Sequence, residues 1–232
     1  MMGSLASARA ITRRGIALSV VALLGLVTVY VMALGFTPVE RFQGPAQKIF
    51  YIHVPAAWSA LLAFSIVGIV SILYLWLKDA RLDRFAAAAA DVGLVFSCVM
   101  LTTGPIWGKP IWGVWWQWEP RLTFTLFLFF LFVGYRTLRG ALHDPAERAR
   151  FSAVVGIMGM LLVPFVHLTV YLFPGIHPLP VVLKPSSPSL PPEMLRTLLT
   201  SFGVFTVLSL GFTITRYGMA LLADAEEARR AD

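Results

Sequence analysis

Charge is scarce in this sequence. Asp, Glu, Lys and Arg make up 13% of its 232 residues, while 58% are hydrophobic. A soluble domain carries roughly 25% charged residues. The composition therefore excludes a water-surrounded globule and implies a polytopic membrane protein. One cysteine, Cys98, leaves no disulfide framework, no C-x-x-C pair and no C-x-x-C-H haem-attachment motif. No G-x-x-x-x-G-K-[ST] run is present, so this chain is not a P-loop ATPase. No segment alternates apolar and polar residues at period two, which removes a membrane β-barrel. The net charge of +7 could suggest nucleic acid. In a chain this apolar, membrane topology explains it better, and no nucleic-acid partner is expected.

What is present is long apolar runs. A helical span needs about 20 such residues. Six runs qualify: 16–36, 56–77, 86–106, 122–138, 152–173 and 198–222. The expected fold is all-α, a single six-span membrane domain over residues 1–232. No small-residue cleavage site clearly follows the first run, which reads as a retained span. The fourth run is short and is expected to borrow length from the aromatic stretch before it. Arg216, in the sixth, lies close enough to the end to snorkel. The alanines of 86–90 give the third span a face for close helix packing.

Basic residues set the orientation. Arg9, Arg13, Arg14, Lys78, Arg81, Arg84, Arg136, Arg139, Arg148, Arg150, Arg216, Arg229 and Arg230 fall on one side, 13 of the 19 Lys and Arg. Arg41, Lys48, Lys109, Arg121, Lys184 and Arg196 fall on the other, which makes six. The positive-inside rule puts both termini in the cytoplasm. His53, His177 and the tryptophan-rich segment 107–123 then share the outer aqueous face. His167 lies within the fifth span toward that face, and His143 lies inside.

WGKPIWGVWWQWEPRLT, residues 107–123, holds five of the seven tryptophans. Indole commonly collects at membrane interfaces, but one short segment with five exceeds that need. A plate for a flat, apolar ligand accounts for the excess. If residues 112–118 form a short surface helix, Trp112, Trp115 and Trp116 share one face. Gly104, Pro105, Gly108, Pro110 and Pro120 would bracket it and separate it from the spans. Neutral imidazole is a good iron ligand, and haem iron is commonly held by axial histidine. His53 in YIHVPAAW and His177 in FPGIHPLP, on either side of the plate, could clamp a haem, with His167 in reserve. Each is also readable as an ordinary capping or loop residue. Arg121 suits a haem propionate. Lys109 and Lys184 on the same face fit lipid headgroups or a propionate equally well.

The segment also resembles the signature W-G-x-W-W-x-W-D of the tryptophan-rich haem-handling family of the cytochrome c maturation system. YIHVPAAW before the second span, the late outer histidine, the length and the six spans match across nearly the whole chain. Glu119 stands where the family has Asp. The resemblance implies haem b bound without covalent attachment at the periplasmic face of the bacterial inner membrane. It implies contacts from Trp107, Trp112, Trp115, Trp116, Trp118, Glu119 and Arg121, with His53 and His177 as axial ligands. It further implies delivery to a periplasmic haem chaperone. The other implied partners are an ABC-type ATPase, permease subunits and a small accessory membrane protein. No bond-making chemistry of the chain's own is expected. Without an outer Asp, a Ser-His-Asp hydrolase on that face is disfavoured. Two alternatives stay open: a permease subunit moving a small hydrophobic molecule, and a b-type electron-transfer subunit.

Overall fold

The computed structural model describes residues 2–173, 175–182 and 184–231. Six helices account for most of them: α1 Met2–Val31, α2 Phe50–Leu77, α3 Ala80–Trp112, α4 Pro120–Ala141, α5 Pro145–Leu172 and α6 Pro192–Ala231. All six are long and apolar enough to cross a membrane. The all-α membrane architecture is therefore present, and no strand occurs among the described residues. A π-helical turn, Met32–Phe36, extends α1, and a 3-10 turn, Pro45–Ile49, leads into α2.

Local chemistry fixes the ends. Lys78 closes α2 in the left-handed conformation, its N–H donating to Tyr74 at 2.8 Å. Asp79 then caps α3, accepting from the Arg81 N–H at 2.9 Å. Asp144 caps α5 through the Glu147 N–H at 2.7 Å, with Pro145 in the first turn.

Helix α2 is the hub. It packs on α3, α5 and α6, while α1 lies along α6 and α4 along α5. Ala56, Ala60, Phe64 and Val67 of α2 meet Ala86, Ala89 and Ala90 of α3 in the main core. The small residues let the backbones approach closely. Phe64 stacks on Phe132 of α4, centroids 3.7 Å apart and planes 11° from parallel.

Pro55 interrupts α2 two residues after His53. It has no N–H to give the carbonyl of Tyr51, one turn back. Ser201 of α6 replaces it: its hydroxyl, fully buried, donates to the Tyr51 carbonyl at 2.5 Å. Inside a bilayer such a carbonyl has no water to turn to.

Three expectations are corrected. The third helix does not stop before the aromatic stretch; it runs through Pro105 and Pro110 to Trp112. Residues 113–119 are not helical, so no surface helix carries the tryptophans, and α4 borrows nothing from them. It gains its length by running on to Ala141. Arg216, half-exposed near the helix end, also donates to Asp91 of α3 at 2.8 Å.

Candidate functional site: an aromatic double chamber at one rim

At the rim where α3 ends and α4 begins, the chain makes a turn of seven residues. Gly113, at φ +78°, ends α3 in a conformation that a side chain would strain. Its carbonyl accepts from Lys109 Nζ at 2.8 Å, so this lysine caps its own helix and faces no cavity. Beyond Gly113 the chain is irregular until Pro120 starts α4. Trp112 at the helix end and Trp115 and Trp116 in the turn line one open-mouthed chamber. The three indoles converge through a turn and not through helical spacing. Trp107 lines it too, 5% exposed, its indole N–H donating to Gln43 at 3.1 Å. Trp118 is 74% exposed, packs edge-on against Trp116 and lines neither chamber described here.

His53 and His177 both face this chamber. His53 sits on the first turn of α2, buried, edge-on to Trp107 with centroids 5.7 Å apart. Its Nδ1 lies 3.1 Å from Thr103 Oγ1. That hydroxyl already donates to the Val99 carbonyl at 2.7 Å. The network therefore assigns the proton to Nδ1 of His53, which leaves Nε2 with a free lone pair.

His177 lies in the loop after α5, its ring stacked on Trp112 at 6.4 Å and 27°. Glu119, 6% exposed, holds that loop. Its Oε2 accepts from the Ile176 N–H at 2.8 Å and the His177 N–H at 3.4 Å. Oε1 lies 3.2 Å from Nδ1 of His177 and accepts no aligned hydrogen bond. A Cβ at Gly175 would collide with the carboxylate, so glycine is required there. Glu119 is thus a support beneath the histidine and not a wall of the chamber. Burial, then the Arg121 charge and the His53 ring, push His177 down to about 3. The imidazole is therefore neutral at physiological pH.

Arg121, in the first turn of α4, borders the chamber and donates no hydrogen bond to any described residue. A half-buried guanidinium without a partner is a receptor for an anion. Lys184 lines neither chamber.

A second chamber adjoins the first. The two share His53, Ala57, Leu61, Trp107, Arg121 and His177. His167 lines only the second, among Phe50, Trp58, Leu198 and Phe202. Thr103, Gln43, Gly175 and Trp58 are site residues that sequence reasoning did not single out. Their partners lie far away in the chain, and only Gly175, one residue past a proline and two before His177, carried any local signal.

Fold and site together define a class: a six-helix membrane protein whose rim holds an aromatic pocket bordered by two histidines. The family model for heme exporter protein C matches residues 4–232. The heme exporter protein C of Haemophilus influenzae is 34% identical over 202 residues, covering 86% of this chain and 80% of its own. That of Bradyrhizobium diazoefficiens is 34% identical over 190 residues, 80% of this chain and 72% of its own. That of Escherichia coli K12 is 34% identical over 201 residues, 86% and 80% respectively. The chain belongs to the heme exporter protein C family.

Proposed function

We propose that this chain binds haem b, without covalent attachment, at the periplasmic rim of the bacterial inner membrane and hands it to a periplasmic haem chaperone for cytochrome c maturation. It works beside ABC-type ATPase and permease subunits and a small accessory membrane protein. The 13-to-6 split of Lys and Arg supports cytoplasmic termini and an outer site. The family's role in heme export, carried by its name, supports the cargo.

The observation that carries the reading is the convergence of His53 and His177, from α2 and the distant loop after α5, on one chamber walled by tryptophans. The porphyrin lies against Trp112, Trp115 and Trp116, gaining apolar contact and offset stacking. Iron is held between Nε2 of His53 and Nε2 of His177. Each ring's Nδ1 is turned to its support, Thr103 or Glu119, as metal-bound histidines usually require. Arg121 takes a propionate. The chain supplies binding and orientation, and makes no bond to carbon itself.

Both ligands are neutral before haem arrives, so binding releases no proton from them. Transfer then requires only exchange of axial bonds. An absorption spectrum tests this. The purified protein with haemin should show a bis-imidazole spectrum. His53→Ala and His177→Ala should each abolish it and weaken binding more than tenfold, about 1.4 kcal/mol or more. An unaltered spectrum in the double variant would refute the clamp.

A further inference from the structure

The second chamber has three features that the clamp does not use. First, α5 and α6 each pack on α2 rather than on each other. The chamber occupies the resulting gap, floored by α2 residues Val54 and Trp58, and roofed by loop residues 178–182. Second, the helix surfaces beside the gap are those of a lipid-facing wall: Phe165, Leu168, Tyr171 and Leu199 are all exposed. Third, His167 stands on that chamber with Tyr171 as its one aromatic neighbour, and neither nitrogen has a hydrogen-bond partner, among the described residues. An imidazole in a membrane-spanning helix with nothing to bond marks a ligand path more often than a packing element.

The geometry points to a second haem station: the α5–α6 gap takes haem from the bilayer, with His167 as its first iron ligand, and passes it to the clamp. This rests on the haem-binding reading above. Haem is amphiphilic, so a lateral mouth among apolar side chains suits its ring system. Arg121 borders both chambers and keeps one carboxylate partner in reach throughout. His53 and His177 also border both. The step is one of ligand exchange: the bond from iron to His167 breaks as the bond to His177 or His53 forms. No electron or proton changes hands, because neutral imidazole replaces neutral imidazole.

The test uses the full chain in detergent and haemin carried in phosphatidylcholine vesicles, with uptake followed by the growth of the bis-imidazole bands. His167→Phe keeps the ring volume and removes the ligand. Val54→Trp fills the second chamber without touching the first. Both should reach the wild-type spectrum, but about tenfold more slowly or worse. In His53→Ala, His177→Ala protein, residual haem should show a single-imidazole, five-coordinate spectrum that disappears when His167→Phe is added. Loading of both variants at the wild-type rate would overturn the station while leaving the clamp intact. A wild type that never develops bis-imidazole bands would overturn both.

Discussion

At the arginine-rich end of the bundle, charges are paired from helix to helix; at the tryptophan rim the Arg121 guanidinium has no hydrogen-bond partner among the described residues. Asp83 of α3, 3% exposed, takes Arg139 of α4 in a two-pronged grip at 2.5 and 2.8 Å. Arg84 joins it to Asp224 of α6 at 2.9 Å, and Asp91 holds both Arg136 and Arg216. Every one of these pairs ties one helix to another or braces such a tie. At the other end, among the described residues, Arg121 has no hydrogen-bond partner, the Trp116 N–H is buried without one, and two imidazoles border the chamber. The contrast separates what the chain spends on holding its helices together from what it withholds for a ligand. Groups already satisfied cannot bind cargo.

The comparison can be broken most severely at the arginine-rich end. Asp83→Ala strands Arg139 in a buried position, a loss of about 3–5 kcal/mol. Thermal unfolding should drop sharply, and whatever folds should keep the wild-type haem spectrum. If that variant loses haem without losing stability, the two ends do not have separate tasks. Glu119→Gln comes next. It should leave the fold standing and weaken haem about 10–100-fold, the usual cost of removing a metal ligand's support. Titration of haemin against both proteins reads it, and Glu119→Asp should recover part of the loss. Ser201→Ala should then cost about 1–3 kcal/mol by abandoning the buried Tyr51 carbonyl, visible as a lower unfolding midpoint.

Acid gives a gentler probe. The folded pKa of His177 lies near 3, below its ordinary value of 6.5. Between those values the unfolded chain binds the proton and the folded chain does not. Stability contributed by the neutral ring is thus complete above pH 6.5 and declines as pH falls, by at most about 1.36 kcal/mol per pH unit. Unfolding midpoints of haem-free protein from pH 7 to 4 should fall, and His177→Ala should flatten that slope. Least of all, Trp118→Ala should change stability by no more than about 0.5 kcal/mol and leave the haem spectrum alone, since its ring faces solvent.

Six membrane helices were readable from the chain because apolar runs long enough to span are rarely anything else. The histidines and most of the tryptophan plate were readable too, because few residue types do what they do. The path of residues 107–119 was not. Proline breaks a helix in water, where its lost hydrogen bond and clash decide the matter. Within this bundle α3 tolerates both Pro105 and Pro110, since packed neighbours hold the helix on either side. The true break fell at Gly113, a residue that looked no different from Gly104 or Gly108. Nor could Glu119 be read as a support for His177: the contact joins residues 58 apart, and nothing near either one announces it.

Glu119 grips the backbone and faces the imidazole of the same short stretch, Ile176–His177. Roof and proposed iron ligand are consequently one mechanical part. If the loop over the chambers lifts, His177 leaves with it, and in the proposed clamp a six-coordinate metal would become five-coordinate in the same motion. Unloading needs no separate trigger on the iron: whatever pries the loop open has already loosened the cargo.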